Sequence, residues 1–388
     1  MGIEHWLQLS LTQGLGPILI RRLVDTMGGA EKACQAARSD LRGIEGIGQA
    51  RSHSIHESLQ QAASLAQAEL SRAAAMGVAL ICREDDRYPL LLRDIQDPPS
   101  VLYVMGALEP RDLNALAMVG SRRCSHYGRE QAERFAALLA GAGFTVVSGG
   151  ARGIDSASHR GALQHPHGRT IAVMGSGLDV PYPPENEALF RQIAGRGAVV
   201  SELPFGTPPN AENFPRRNRI VSGMSRGVFV IEADERSGAL ITARLANEDH
   251  GRPVFALPGR VDNRMSLGPH LLIRDGAILV TKIDDIIEGL HPFPDSARET
   301  GLFDHPERDQ ATRQQGGAGS IRPIAEVMLT DAQRRIVEAI GDAQANIDRI
   351  VENSGMDAAV ILRELTFLSL KGVIRRVDGQ SYARAGAR

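Results

Sequence analysis

The sequence is poor in aromatic residues, which make up 4% of its 388 residues. Few ring faces are therefore available to stack on bases or sugars, and any stacking site must depend on one or two identifiable residues. An excess of charge of one sign is also lacking, since 44 Lys and Arg are set against 46 Asp and Glu for a formal net charge of −2. A polyanion-binding surface over the whole chain is thus not indicated, and any nucleic-acid site must be local.

Cysteine is scarce, and long apolar runs are missing. The three cysteines, Cys34, Cys82 and Cys124, form no CxxC pair, which argues against a disulfide framework or a structural zinc site. We therefore expect a protein of the reducing cytoplasm. No stretch approaches the ~18 apolar residues of a membrane span, and the N-terminus has no basic start followed by an apolar run. Export and membrane insertion are not expected.

Residues 1–78 are predicted to form a domain of short helices, on the evidence of helical apolar spacing over 18–27 and an Ala-rich segment at 60–76. Between them, the sequence GIEGIG at 43–48 is typical of a helix-hairpin-helix turn, whose backbone N–H groups bind a phosphate at a helix N-terminus. GLGP at 14–17 is similar to a degenerate second copy. The same glycines also suit helix caps in a purely structural bundle, and both interpretations stay open.

Residues 79–290 contain seven short apolar runs that alternate with amphipathic stretches. This alternation predicts an α/β domain with an extended Rossmann-like, doubly wound, mostly parallel sheet covered by helices on both faces. A ligand crevice is expected at the carboxyl ends of the strands. The predicted strands are 115–119, 145–147, 170–174, 198–200, 228–231, 254–257 and 277–280.

The last hundred residues are predicted to form a linker and a separate domain. Proline and glycine without periodicity indicate a flexible linker over 291–323, and 324–388 is predicted to be a winged helix. Its three helices are placed at 329–340, 347–353 and 358–370, and its hairpin at 373–377 and 381–383. Because the presumed recognition helix, taken as 357–371, carries only two basic residues, Arg363 and Lys371, protein contact, DNA contact through the wing and a purely structural role all stay open.

Three loops of the central domain combine glycine or proline with arginine. GSRR at 120–123 and SGGAR at 148–152 each follow a predicted strand, where glycine allows the backbone to approach a phosphate and arginine binds it in a bidentate manner. The third cluster, FPRRNR at 214–219, begins a thirteen-residue stretch with four arginines and no acid. These clusters predict a phosphate-binding groove, against the alternative of a solvated charged face.

Signatures of cofactor and catalytic sites are missing. There is no GxxxxGK[ST] and no GxGxxG with a partner acid, so ATP and NAD are poorly supported and no cofactor is expected. No HExxH, no spaced metal ligands and no plausible Ser-His-Asp arrangement occur, so neither a metal site nor an enzyme is predicted. His159 is expected to be a helix-face residue. The acids of the cluster 232–243 have either a structural or a ligand-binding role.

The central part of the chain resembles the DNA-processing protein A family of bacterial recombination mediators. The matching stretches include VGSRRCSHYG, VSGGARGID, TIAVMGSGLDVPYPPEN and FPRRNRIVSGMS, and they cover most of residues 80–290 in order. The resemblance implies a single-stranded DNA-binding homodimer that protects incoming strands and transfers them to the RecA recombinase during natural transformation. The N-terminal helices resemble the sterile-alpha-motif-like or helix-hairpin-helix extensions of many family members. The C-terminal winged helix resembles the one found in a subset of them.

The resemblance places DNA binding on the same three clusters. Arginines would neutralise phosphates, turn amides would hold one phosphate more tightly, and Phe214 would either stack on a base or form the groove floor. Arg123 and Asn218 are added as neighbours within these clusters. The full set of candidate residues is Ser121, Arg122, Arg123, Gly149, Gly150, Arg152, Phe214, Arg216, Arg217, Asn218 and Arg219.

Two other functions fit a chain of this class. A nucleotide-sensing Rossmann module could use the winged helix as its output. A phosphoribohydrolase-like enzyme would carry a PGGxGTxxE motif, but the nearest stretch, 232–243, lacks both the double glycine and the following glutamate. Competition between free nucleotide and oligonucleotide would distinguish a sensor from a DNA-binding protein.

Overall fold

A computed structural model describes residues 2–290, 331–341 and 344–356, together with 361, 364–365, 368, 373–377 and 381–384. The described residues up to 290 belong to one compact unit, and those from 331 onward belong to a second. The predicted linker, 291–323, lies outside the described residues. The predicted third helix of the winged helix is described only at four positions, all of them helical.

Five helices form the N-terminal part of the first unit, and the predicted helices at 18–27 and 60–76 are confirmed. Both glycine turns precede a helix, with positive φ angles of 85° at Gly14 and 95° at Gly46 that favour glycine. Arg51 donates to both turns, to Gly46 O at 2.9 Å and to Gly14 O at 3.1 Å, so the two turns lie side by side. The helices are α1 Ile3–Leu11, α2 Pro17–Met27, α3 Ala30–Cys34, α4 Arg38–Arg42 and α5 Gln49–Met76.

A nine-stranded sheet forms the centre of the first unit, with strand order β1-β2-β6-β5-β4-β3-β7-β8-β9. The strands are β1 Ala79–Cys82, β2 Val101–Gly106, β3 Ala115–Val119, β4 Thr145–Ser148, β5 Arg169–Val173, β6 Ala198–Ser201, β7 Val228–Val230, β8 Val254–Ala256 and β9 Ile278–Leu279. All seven predicted strands are present, and they pair in parallel. Two further strands, β1 and β2, were not predicted; β1 pairs antiparallel with β2, and β2 pairs antiparallel with β6.

Helices cover both faces of this sheet, as predicted. In β3, Ala117 and Val119 pack into one core cluster, while Leu116 and Met118 pack into the other. The covering helices are α6 Leu90–Arg93, α7 His126–Gly141, α8 Ile154–Gln164, α9 Glu187–Arg196, α10 Asn213–Gly223, α11 Gly238–Arg244, α12 Leu267–Arg274 and α13 Ile283–Gly289. None of the helices in the described part of the chain is long and apolar enough to cross a bilayer.

The chain reverses its direction across the sheet at β3. It runs from β3 through β4 and β5 to β6 on one side, and it resumes at β7 on the other side. In open α/β sheets the ligand crevice lies at the carboxyl ends of the strands beside such a switch point. The loops that follow β3, β4 and β5 therefore carry the candidate site.

The second unit has a small core of its own, to which Ile336, Ile350, Leu365 and Ile374 contribute. Its described elements are α14 Asp331–Ile340, α15 Ile347–Ser354, β10 Ala345–Asn346, β11 Ile374–Arg376 and β12 Ser381–Arg384. The strands form a sheet of order β10-β12-β11. Helices followed by a hairpin are the arrangement that the sequence predicts here.

Candidate nucleic-acid interface

The loops after β3, β4 and β5 meet the N-terminal part of α10 around a small cavity. Eight residues line it, and five of them belong to the predicted set: Arg122, Gly149, Arg152, Phe214 and Arg217, together with Ala151, Tyr182 and Pro183. The structure therefore brings the three arginine-containing clusters of the sequence to one place.

The loop after β3 is held rigidly beneath its arginines. A Cβ on Gly120 would lie 2.5 Å from Ile154 Cγ1, so only glycine allows this loop to approach α8. The amide of Ser121 donates to Glu232 O at 2.6 Å. Arg122 and Arg123 follow on this fixed base, and both are exposed.

Glu232 has a structural role at the start of α7. Its Oε2 accepts from the Ser125 amide at 2.7 Å and its Oε1 from the Ser125 hydroxyl at 2.6 Å. Gly128 packs directly on the carboxylate, where a Cβ would lie 2.3 Å from Oε2. Both carboxylate oxygens of Glu232 thus accept hydrogen bonds within the protein. Of the two roles left open for the acids of 232–243, Glu232 has the structural one.

The turn after β4 is shaped to accommodate the side chain of Arg217. A Cβ on Gly149 would lie 1.6 Å from Arg217 Nη1, so any larger residue would displace the guanidinium. Gly150 adopts a φ of 65° beneath the ring of Phe190, where L side chains are strained. Both glycines of the SGGAR cluster are therefore required by the geometry of the site.

Arg217 is a buried cation without an ion-pair partner in the described part of the chain. Its side chain is 5% exposed, its Nε has no hydrogen-bond partner, and no carboxylate among the described residues lies within ion-pair distance. Burial lowers the pKa of Arg217 to about 10, a trend that Asp155 opposes and Arg122 reinforces. The guanidinium is therefore charged at neutral pH. A buried charge of this kind is costly unless an anion compensates it.

Phe214 forms part of the cavity wall with Tyr182. The two ring centroids are 5.7 Å apart, and the Arg122 guanidinium lies over the Phe214 ring at 5.0 Å. The ring also packs closely on Gly175, where a Cβ would lie 2.9 Å from Phe214 Cδ1. Because the ring is half-buried and carries a cation on one face, this arrangement favours the groove-floor interpretation over base stacking.

Arg152 lies at the rim of the cavity in a bidentate ion pair. Its Nε and Nη2 donate to the two carboxylate oxygens of Glu185, with Nη2 at 3.0 Å from Oε2, and its guanidinium lies 5.9 Å from the ring centroid of Tyr182. The hydrogen bond to Glu185 raises the pKa of Arg152, and the same contact lowers the pKa of Glu185. Both side chains are about half exposed.

The remaining predicted residues of α10 face different surroundings. Arg216 is exposed and has no hydrogen bond or ion pair within the described ranges, while Asn218 Nδ2 donates to Gly238 O at 3.4 Å. Arg219 is buried and pairs with Asp97 at 2.9 Å and with Glu202 at 2.6 Å. The structure therefore does not bring Arg219 into the cavity with Arg217, contrary to the expectation that both would line one groove.

Sequence reasoning did not single out Tyr182, Glu185 or Asp155 as parts of this site. Tyr182 and Glu185 belong to the loop after β5, in the segment PYPPEN, which contains no glycine–arginine cluster. Asp155 is fully buried at the start of α8, and burial raises its pKa against the opposing charge of Arg217. Two signals pointed to PYPPEN: it follows a predicted strand, and it ends the family-matching stretch TIAVMGSGLDVPYPPEN.

His159 is buried on α8 and does not face solvent. The Thr170 hydroxyl donates to Val146 O at 2.6 Å, so it accepts the hydrogen bond from His159 Nδ1 at 2.7 Å. Burial lowers the pKa of His159 to about 3, which keeps the ring neutral near neutral pH. This environment agrees with the prediction of a helix residue and not a general base.

A larger cavity, of about 430 Å³, lies at the opposite edge of the sheet, before β5 and β6. Its buried cation, Arg169, is neutralised by Asp112 at 2.5 Å and by Glu109 at 3.1 Å, and it also donates to Ala107 O. Arg196, which also lines this cavity, has no carboxylate partner in the described ranges, but its guanidinium donates to three backbone carbonyls, Leu163 O, His165 O and Pro166 O. The smaller cavity at the carboxyl edge is therefore the better candidate, because its arginines are not all compensated.

Comparison with known proteins agrees with this architecture. The family model described as DNA recombination-mediator protein A matches residues 79–291, and the model described as DprA winged helix domain matches residues 322–380. A protein named Smf from Synechocystis is 33% identical over 98% of both chains. Another protein named Smf, from Escherichia coli K12, is 41% identical over 77% of this chain and 76% of its own.

A solved structure shows the same fold. The X-ray structure of DNA processing protein A from Streptococcus pneumoniae superposes with a TM-score of 0.64 at 35% sequence identity. The match covers 75% of this chain and 99% of that one.

Proposed function

The chain belongs to the DNA recombination-mediator protein A family, and from this premise we propose that it binds single-stranded DNA at the cavity between β3, β4, β5 and α10. The observation that carries the proposal is Arg217, a buried and charged guanidinium that forms no ion pair with any described residue. A backbone phosphate supplies that anion, and its oxygens match the guanidinium geometry.

The exposed arginines extend this contact along a strand. Arg122, Arg123 and Arg216 are exposed at the mouth of the cavity or beside it and have no carboxylate partner among the described residues. They suit the neighbouring phosphates of a flexible strand, whose backbone can follow the loops. With about three phosphates neutralised per subunit, log affinity should fall with log salt at a slope of about −2. Base identity should have little influence, because the contacts are to the backbone.

The finer parts of the function rest on the family alone. We propose that the protein acts as a homodimer, protects incoming single strands and transfers them to RecA during natural transformation. A RecA filament-assembly assay on single strands coated with single-strand-binding protein tests this role: the protein should shorten the lag of assembly. An unchanged lag would contradict RecA loading without affecting the DNA-binding proposal.

The binding proposal is tested by fluorescence anisotropy with a labelled oligothymidylate and a matched duplex across a salt series. We expect preference for the single strand and, for Arg122→Gln and Arg216→Gln, weaker binding by about three- to tenfold. Each variant should also lose about 0.7 from the salt slope.

The matched control is Arg111→Gln, which removes the same charge from an exposed arginine at the opposite edge of the sheet. It should bind as the wild type does. Equal binding by all three variants, or equal affinity for duplex and single strand, would contradict the proposed site. Competition by a mononucleotide with no binding of oligonucleotide would favour the nucleotide-sensor alternative.

A further inference from the structure

We propose that Glu185 is a built-in competitor for the DNA backbone: its carboxylate occupies Arg152 in the free protein and must be displaced before Arg152 binds a phosphate. This inference rests on the proposed function and concerns the control of the same site. Arg152, unlike Arg122 and Arg217, already forms an ion pair with a carboxylate.

The ion pair between Arg152 and Glu185 has the same geometry as the arginine–phosphate contact that would replace it. Glu185 accepts from Nε and Nη2 of Arg152, one oxygen on each. These two N–H groups form the edge of the guanidinium that binds a phosphate in a bidentate manner. A carboxylate and a phosphate therefore cannot use this edge together, and the bound state of one excludes the other.

The pair is held in place by the buried structure beneath it. Asn186, the next residue after Glu185, is buried, and its Nδ2 donates to Gly150 O at 2.9 Å and to Ser156 Oγ at 2.8 Å. Gly150 belongs to the same turn as Arg152. The segment that carries the acid is thus fixed to the turn that carries the arginine, which distinguishes this pair from two mobile surface side chains.

Neighbouring groups make the competition specific to this acid. Glu187, two residues further on, points its carboxylate to Arg191 of the same helix at 3.1 Å and is equally exposed. Asp155 is buried beneath the turn and does not form an ion pair with Arg152. The inference is therefore tested by neutralising Glu185, and neutralising Glu187 is the matched control.

The test measures oligothymidylate affinity by anisotropy for the wild type, Glu185→Gln, Glu187→Gln, Arg152→Gln and the double variant Arg152→Gln/Glu185→Gln. Glu185→Gln should tighten oligothymidylate binding by about two- to fivefold, because an exposed ion pair that otherwise has to be broken is worth about that much. Glu187→Gln should give a clearly smaller gain. In the Arg152→Gln background, Glu185→Gln should give no more gain than Glu187→Gln gives in the wild type.

Two results would overturn the inference while leaving the DNA site intact. The first is unchanged affinity of Glu185→Gln in a wild type that binds DNA. The second is an equal gain with and without Arg152, which would mean that Glu185 acts only as a nearby negative charge. Failure of the wild type to bind single strands would instead overturn the proposed function, and this inference with it. All exchanged residues are exposed, and thermal melting checks that each variant is folded.

Discussion

Arg217 and Arg219 show how strongly the role of one residue depends on its position around a helix. They are two positions apart in the sequence, which places them about 200° apart around α10. Arg217 lies against Gly149 without an ion pair, whereas Arg219 holds two carboxylates. One arginine is thus suited to bind an external anion, and the other stabilises the fold.

Replacing Arg217 by methionine should separate affinity from stability. Arg217→Met removes a desolvated charge that has no ion-pair partner among the described residues and interacts with Asp155 only at longer range, so thermal stability should be unchanged or higher. Single-strand affinity should fall by at least about tenfold, since a charged hydrogen bond to phosphate is lost. Thermal melting and anisotropy on the same preparation measure the two effects. A large loss of stability would contradict the description of Arg217 as an uncompensated charge.

The matched substitution, Arg219→Met, should have the opposite effect. It leaves Asp97 and Glu202 without their partner, and the expected loss of unfolding free energy is about 3 kcal/mol, at the low end for a buried pair because Asp97 keeps partial solvent access. Denaturant titration measures this loss. Below the melting temperature the variant should bind single strands as the wild type does, and a selective binding defect would place Arg219 in the groove after all.

Gly149→Ala should reproduce the binding defect of Arg217→Met through an added methyl group. The new Cβ would occupy the position of Arg217 Nη1, and the guanidinium must leave the turn. We expect oligonucleotide affinity to fall by about tenfold or more, as for loss of the charged contact itself. The control is Gly195→Ala in α9, where a Cβ meets no atom within 4 Å. Retained affinity in Gly149→Ala would show that Arg217 binds from another position.

The site was only partly predictable from sequence at this scale. Arginine and glycine in the loops after β3 and β4 correctly indicated that Arg122 and Gly149 lie together. The FPRRNR cluster was wrongly expected in a loop, because it lies in α10, although its Arg217 does line the same cavity. The sequence did not reveal that Arg219 points away, because the helix phase of FPRRNR depends on where α10 starts and which face it buries. Glu185 was missed because its importance comes from a contact across 33 residues, which no local pattern contains.

At the scale of elements, the start of α7 depends on an acid from the loop after β7. Glu232→Gln replaces an acceptor of two hydrogen bonds by an amide that can satisfy both donors only poorly. The first unit should lose about 1–3 kcal/mol of unfolding free energy, and amides over 121–128 should exchange faster with solvent. Hydrogen exchange measures this local effect. Glu130→Gln, an exposed change on the same helix, is the control and should leave exchange unaltered.

The elements themselves were more predictable than their pairing. Fully apolar runs such as 115–119 indicate strands that are buried on both faces, and the structure has them in a parallel sheet. The antiparallel edge was missed because β1 has only four residues and β2 pairs with β6, nearly a hundred residues later. Pairing between strands so far apart in the sequence depends on how the whole sheet assembles, and local periodicity does not predict it.

At the scale of the whole molecule, stability should fall as the pH drops below 6.5. His159 is neutral in the fold, where burial lowers its pKa to about 3, whereas an unperturbed histidine has a pKa of about 6.5. The unfolded chain therefore binds a proton between these values that the folded chain does not, and the loss from this group is about 2 kcal/mol at pH 5. Thermal melting between pH 7.5 and 5.0 measures it.

His159→Asn provides the comparison, because it removes the titrating group and keeps a donor for Thr170. The variant should lose less stability than the wild type over this pH range. The raised pKa of Asp155 acts in the opposite direction, since a proton bound only in the fold adds stability as the pH falls. That contribution is present in both proteins. Parallel curves for the two would contradict the assignment of the acid effect to His159.

The two edges of the central sheet differ in how their arginines are compensated. At the amino edge, Arg169 is enclosed by carboxylates, whereas at the carboxyl edge Arg122, Arg216 and Arg217 have none among the described residues. A chain of net charge −2 can therefore still present a locally positive potential at the carboxyl edge of the sheet in its first unit. A polyanion approaching at low salt would experience a torque that turns this edge toward it. Encounter would then be oriented before any contact forms, and the association rate would fall with ionic strength although the molecule as a whole is slightly negative.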